Sequence, residues 1–285
     1  PLDNLVLTAN ETTVREDQIN RWTDRAPREQ KGQVTGNLKY HRQIDAQGLL
    51  PRDVFVWLPP SYDSESERRY PVLYMHDGQN LVDPSRSAFG VDWQVDETVT
   101  QLIADKHIPP IIVVGIDNTP DRSKEYVDGD QGDRYRQMIV GKLKPMIDSR
   151  YRTIPDREAT FSGGSSAGGL CAFMMVWEHP DDFSRAICMS PAFQYARADG
   201  TLAIDYVSEV RSRDRPEQSV RIYIDNGGRG VDTQLQAGVD AMTEAIGEKG
   251  LKENRDYFVV ISASDDHNES AWAKRFPNAL KLMLK

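Results

Sequence analysis

The sequence predicts an α/β fold, a doubly wound and mostly parallel sheet preceded by antiparallel strands. Three observations lead there. From residue 71 onward, apolar runs of strand length alternate with helical stretches, the order that lays helices over both faces of a parallel sheet. Before them, Lys39 to Ile44 and Val54 to Leu58 suit an antiparallel pair. Around residue 163, a strand, a very tight turn and an apolar helix follow one another with no spacer.

Along the chain, residues 1 to about 36 are polar and mixed in charge, with little periodicity, and are expected to form an N-terminal extension. The first strand pair follows, and Pro59-Pro60 stops its second member. The buried strands are expected at Val72 to Met75, Ile111 to Val114, Thr160-Phe161, Ala186 to Met189, Arg221 to Ile224 and Phe258 to Ile261. Most are rich in β-branched or aromatic residues, as strands covered on both faces should be. Helices are expected over Val95 to Lys106, Tyr135 to Ile147, Leu170 to His179, Thr233 to Gly247 and Ala271 to Leu284. Pro145 and Pro277 are expected to end or kink two of them. No repeat, low-complexity segment or linker breaks residues 37–285, which are read as one domain.

The chain has 285 residues, 39% of them hydrophobic, enough for a sizeable core in one domain. Its net charge of -9 and its lack of a basic stripe argue against a nucleic-acid partner. No apolar run approaches the roughly 20 residues that span a bilayer. Cys171 and Cys188 both lie in apolar stretches and read as small buried hydrophobes rather than a disulfide. The sequence opens on Pro1 rather than Met, which leaves a secreted or periplasmic location and a cytoplasmic one equally open.

The tight turn carries the chemistry. It reads Gly163-Gly164-Ser165-Ser166-Ala167-Gly168-Gly169, so Ser166 sits at the centre of a Gly-x-Ser-x-Gly between a strand and a helix. A nucleophile raised on such a turn needs tiny residues two places before and after it, because their backbones nearly touch. Ser165 is flanked by Gly163 and Ala167 and fits that rule less well. A serine hydroxyl needs a base, and the base needs an orienting carboxylate. In open α/β sheets these groups gather at the carboxyl ends of strands. Of the five histidines, His267 alone follows the last strand and precedes the last helix. His107 and His179 end helices, His41 lies in the early hairpin, and His76 belongs to the turn after Met75. The carboxylate is expected after the preceding strand, where Asp225 ends the strand and Asp232 follows a glycine-rich loop. Asp232 is preferred, because the loop can swing it toward His267; an N-cap role competes with this. The order Ser166, Asp232, His267 is that of the α/β-hydrolase fold. Oxyanion donors are expected from the backbone amides of Ala167 and of Gln79, in the turn His76-Asp77-Gly78-Gln79-Asn80.

These residues together resemble the putative-esterase family of α/β hydrolases, which includes enterochelin esterases, feruloyl and acetyl xylan esterases, S-formylglutathione hydrolases and mycolyltransferases. The likeness runs from about residue 38 to the end. It rests on the elbow, on Trp57-Leu58-Pro59-Pro60-Ser61-Tyr62-Asp63, on Tyr70 to Asn80, on Gly115-Ile116-Asp117-Asn118, on Ser190-Pro191-Ala192-Phe193 and on His267-Asn268-Glu269-Ser270-Ala271-Trp272. It implies Ser166 as nucleophile, His267 as base and the Gln79 and Ala167 amides as the oxyanion hole. The turn before Asp232 is longer than the family's usual one. The expected activity is a serine carboxylesterase without a cofactor, acting on a small-molecule or carbohydrate ester such as a feruloyl or acetyl ester. A siderophore lactone esterase, an acyltransferase using the same residues and a non-catalytic binding module are the rivals. Arg122, Glu125 and Tyr126 match the family, and with Trp93 and Phe193 they are candidates for substrate contact.

Two acidic groups invite a metal reading and fail it. Counted as a calcium loop from Asp128, the chain puts Asp133 at the glycine position and Ile139 at the closing glutamate. Asp265, Asp266 and Glu269 lack a second histidine or a cysteine nearby. No metal is expected.

Overall fold

The computed structural model describes residues 34–284 except Gln47. The expected extension therefore lies outside the described residues up to position 33. Its last residues are anchored: the Thr35 amide donates to Asp96 Oδ2 at 2.6 Å, and Trp57 Nε1 donates to the Thr35 carbonyl at 2.7 Å.

Eight strands form one sheet: β1 (Asn37–Ile44), β2 (Arg52–Leu58), β3 (Val72–His76), β4 (Ile112–Ile116), β5 (Thr160–Ser165), β6 (Arg185–Met189), β9 (Arg221–Gly227) and β10 (Tyr257–Ser262). Their spatial order is β1-β2-β4-β3-β5-β6-β9-β10. β2 runs antiparallel to both β1 and β4, and every later pairing is parallel. The order reverses at β3, and the chain then steps outward to β10 with helices in between. This is the doubly wound, mostly parallel sheet with an antiparallel start that the alternation predicts.

Strand periodicity builds two cores. In β3, Val72 and Tyr74 join one apolar cluster, while Leu73 and Met75 join the other. Successive side chains point to opposite faces, so an apolar strand must be covered twice. The first cluster is closed by α3 (Asp130–Met138), α4 (Lys144–Arg150), α5 (Ala167–Glu178) and α7 (Asp232–Glu248). The second is closed by α1 (Val95–Ala104) and α8 (Glu269–Met283). No helix among the described residues is long and apolar enough to cross a membrane.

Several local expectations change. The helix expected from Tyr135 starts at Asp130, and its middle, Ile139–Leu143, is a π-helical turn. That turn lies just ahead of Pro145, which has no N–H to give to the carbonyl four residues back, so the ladder shifts there rather than ending. α8 continues through Pro277 instead of stopping. The short helices α2 (Arg122–Glu125) and α6 (Tyr206–Ser212) were not expected, nor was the hairpin of β7 (Gln194–Ala196) and β8 (Leu202–Asp205).

Candidate active site

β5 delivers the chain to Ser166, which has φ 55° and ψ −125°. That is a strained conformation for a residue with a Cβ, and such outliers cluster at functional sites. The backbone holds it there from both sides. The Ser166 amide donates to the Met189 carbonyl at 3.0 Å, and the Ser166 carbonyl accepts from Gly169, Leu170 and Ala192. A Cβ on Gly164 would stand 2.7 Å from the Gly168 carbonyl, which is the close approach that the small-residue rule anticipates. Ser165 is instead the last residue of β5, paired with Met189. The strained apex belongs to Ser166.

Asp232 and His267 both follow the two outermost parallel strands. After β9 the glycine loop turns and Asp232 opens α7; its side chain caps nothing there. Its Oδ1 lies 2.6 Å from His267 Nδ1. Its Oδ2 accepts from the Gly227 amide at 2.9 Å and from Ser190 Oγ at 3.1 Å. A Cβ on Gly228 would lie 2.4 Å from the Ala263 carbonyl, so only glycine lets this loop press against the one after β10 that bears His267. Asp225 faces elsewhere: Arg275 grips it, through Nε to Oδ2 at 3.1 Å and Nη2 to Oδ1 at 3.2 Å. Of the two carboxylates weighed from the sequence, the structure brings Asp232 to the histidine.

With a proton on Nδ1 directed at Asp232, His267 Nε2 presents its lone pair. Nε2 is buried and makes no hydrogen bond among the described residues. The Ser166 hydroxyl is thus not yet bonded to it, and a catalytic bond of this kind often forms only with substrate in place. The imidazole packs edge-on against Trp272, with ring centroids 4.9 Å apart.

The turn after β3 adjoins the elbow. Asp77 is left-handed (φ 58°), and Gly78–Asn80 form one 3₁₀ turn. A Cβ on Gly168 would lie 3.3 Å from both His76 Cβ and Asp77 Oδ2, so the first turn of α5 rests on this segment. Ala167 opens α5, where the first N–H groups have no intrahelical partner. The Gln79 side-chain oxygen is occupied, Oε1 accepting from the Asn118 amide at 3.1 Å. Its backbone N–H is the donor that the sequence expects at this turn. The segment is braced by Arg122, whose Nε and Nη2 hold the two oxygens of Asp77 at 2.7 and 2.8 Å. Burial alone would raise the Asp77 carboxyl, but the Arg122 guanidinium and the Asn118 amide hold it below the usual carboxylate range. His76 is buried between Tyr135 and Ser162, and burial pushes it down to about 3, so it stays neutral.

The candidates for substrate contact require correction. Glu125 has no accessible surface and is spent on Arg52, at 2.6 and 2.9 Å, and on Thr119. Tyr126 is fully buried, with its hydroxyl on the Asp77 amide. Phe193 packs edge-on against Phe173, and Trp93 packs against Trp272 and Phe276. All four are core or brace, because a side chain with almost no accessible surface cannot meet a ligand without repacking. Arg122 keeps slight exposure, with its Nε and Nη2 turned to Asp77.

From the sequence, Ser190, Arg275, Asn80 and Glu269 were given no role in the site. Asn80 Nδ2 reaches Glu269 Oε1 at 3.3 Å, and Asn80 Oδ1 accepts from the Ala88 amide at 3.1 Å. The signal for Ser190 was its place directly after β6, at the same end of the sheet as the other groups.

A family model described as "Putative esterase" matches residues 50–283. Among solved structures, a ferulic acid esterase aligns with a TM-score of 0.70 at 21% identity, over 88% of this chain and 98% of that one. The enterobactin esterase FES from Shigella flexneri aligns with a TM-score of 0.70 at 16% identity, over 88% of this chain and 61% of that one. An IroE-like serine hydrolase from Shewanella oneidensis aligns with a TM-score of 0.63 at 18% identity, over 86% of this chain and 79% of that one. At these identities the likeness is one of fold.

Proposed function

We propose a serine mechanism for this chain, which belongs to the putative esterase family and is a carboxylic ester hydrolase. Ser166 Oγ attacks the ester carbonyl while His267 Nε2 takes its proton. Asp232 holds Nδ1–H in place and stabilises the imidazolium that forms. The amides of Ala167 and Gln79 receive the developing oxyanion; one such donor is typically worth about 3 kcal/mol of transition-state stabilisation. His267 then gives its proton to the leaving alcohol. Water, activated in turn by His267, releases the acid from the acyl-enzyme. No step calls for a cofactor.

The observation that carries this reading is the 2.6 Å contact of Asp232 with His267 Nδ1, which leaves Nε2 buried and without a partner among the described residues. It stands at the end of the sheet where Ser166 holds its strained apex. The catalytic domain is taken as residues 37–285, with residues 1–36 as an extension.

The substrate we favour is an ester of an aromatic or acetyl acid on a carbohydrate. Its support is that the ferulic acid esterase is matched over nearly its whole length. A siderophore lactone is the second reading, supported by the enterobactin esterase match, which covers 61% of that chain. Methyl ferulate, an acetylated xylan and a catecholate trilactone, offered in parallel, separate the two. Ser166→Ala should lose turnover of p-nitrophenyl acetate by about a million-fold while keeping the folded state. Retained turnover would remove Ser166 from the mechanism. Product transferred to an added acceptor alcohol in preference to water would make the protein an acyltransferase instead.

A further inference from the structure

We infer that Ser190 is a positioning residue for the reaction: it fixes Asp232 and couples it to the buried Asp225–Arg275 ion pair. This rests on the serine-hydrolase reading above and extends it by one residue.

A hydroxyl has one hydrogen to give and two lone pairs to offer. Arg275 Nη2 lies 2.8 Å from Ser190 Oγ, and Trp272 Nε1 lies 3.1 Å from it. Guanidinium and indole N–H groups can only donate, so together they take both lone pairs. The one remaining direction is Asp232 Oδ2, at 3.1 Å. The hydrogen of Ser190 therefore has a single place to go, and the carboxylate receives a donor whose orientation is set from behind. Ser190 is itself held. It is fully buried with φ 43°, and its amide donates to the Asp225 carbonyl at 2.9 Å.

The donors behind it are tied down in turn. Arg275 is clamped by Asp225, and its Nη1 lies 3.7 Å from Asp265 Oδ2. Asp265 also binds Lys274 at 2.6 Å and Ser262 Oγ at 2.7 Å. Trp272 donates to Ser190 while its ring borders the imidazole. The charged groups facing this hydroxyl are thus Asp232 from α7, Asp225 from β9, Arg275 from α8 and, one step behind, Asp265 from the loop after β10. A serine that merely filled space would not need two cationic or indole donors aimed at one oxygen next to the acid.

Removing the hydroxyl takes one of the three donors from Asp232. The carboxylate becomes more basic, and its Oδ2 is left with the Gly227 amide alone to orient it. Ser190→Ala should lower kcat by about 10-fold to 100-fold, the scale of a hydrogen bond to a charged group. KM should stay near the wild-type value. The acid limb of the kcat/KM profile against pH should move to higher pH, because a more basic partner stabilises the imidazolium. Ser190→Gly is the companion variant, since glycine accepts the positive φ without strain and removes any folding penalty specific to alanine. Thermal unfolding is followed for both. A lowered kcat with a displaced acid limb in a folded variant is the expected result. Activity and acid limb both unchanged, or activity that falls only in step with the folded fraction, overturns the inference. If wild type has no esterase activity, or Ser166→Ala keeps it, the underlying reading has failed instead.

Discussion

Asp232 and His267 are separated by 35 positions in the chain and meet at 2.6 Å. The meeting is a consequence of sheet order. β9 and β10 run parallel as neighbours, in register from Ile222 with Tyr257 to Gly227 with Ser262, so the loops leaving them emerge side by side. Glycines at 227 and 228 then let those loops touch. A Cβ at Gly227 would fall 2.1 Å from Asp232 Oδ2, so even alanine there would push the acid out of place.

The first prediction separates the two aspartates. Asp232→Asn should cost about 10⁴-fold in kcat, since an amide imposes the wrong tautomer on the histidine. Its effect on stability should be small by comparison. Asp225→Asn takes from buried Arg275 the carboxylate that clamps it and leaves only Asp265 at 3.7 Å, which costs about 3–5 kcal/mol of stability. Paired measurements of kcat and urea unfolding check this. Equal catalytic losses in both variants would contradict the assignment of roles.

A second prediction concerns pH. Burial raises the Glu269 carboxyl to about 7, beside Asp77 and Arg122. A folded-state value above the ordinary 4.5 means that the folded protein holds the proton more tightly. The stability this gives is present below about pH 4.5 and is lost as pH rises through about 7. Glu269→Gln, which cannot ionise, should escape that loss. Relative to wild type it should gain of order 3 kcal/mol between pH 4.5 and 8. Chemical unfolding of both proteins at several pH values measures it. A difference that does not change with pH would show that Glu269 is not held protonated.

The elbow supplies a third. Gly164→Ala puts a methyl group 2.7 Å from backbone atoms of Gly168, neither of which is the end of a flexible side chain. Strand and helix must part, at a cost of about 1–3 kcal/mol. Ser166 and the Ala167 amide sit between those two residues, so kcat should fall more steeply than stability. Activity assays beside thermal unfolding test this; a variant with wild-type kcat would mean that the turn is not under steric pressure.

Much of this architecture can be read from the sequence because the physics is local. The alternation of strand and helix, the small residues around Ser166 and the position of His267 after the last strand each occupy a few consecutive positions. What could not be read depends on long-range pairing. Glu125 is charged in sequence, and only the fold shows that Arg52, 73 positions away, neutralises it in the core. Arg275 is one more charge in a polar-and-apolar helix, and only the fold shows that it turns inward to Asp225 and Ser190. The β7–β8 hairpin did have a local cue: Asp199-Gly200 forms its turn, with Gly200 at φ 82° and Arg197 and Thr201 closing it.

Labelling the folded protein with a fluorophosphonate and mapping the adduct by fragmentation mass spectrometry tests the central claim most directly. The account predicts a single adduct on Ser166, none on the adjacent Ser165, and loss of labelling in His267→Ala. No adduct on the folded wild-type protein, or an adduct on another serine, would contradict it.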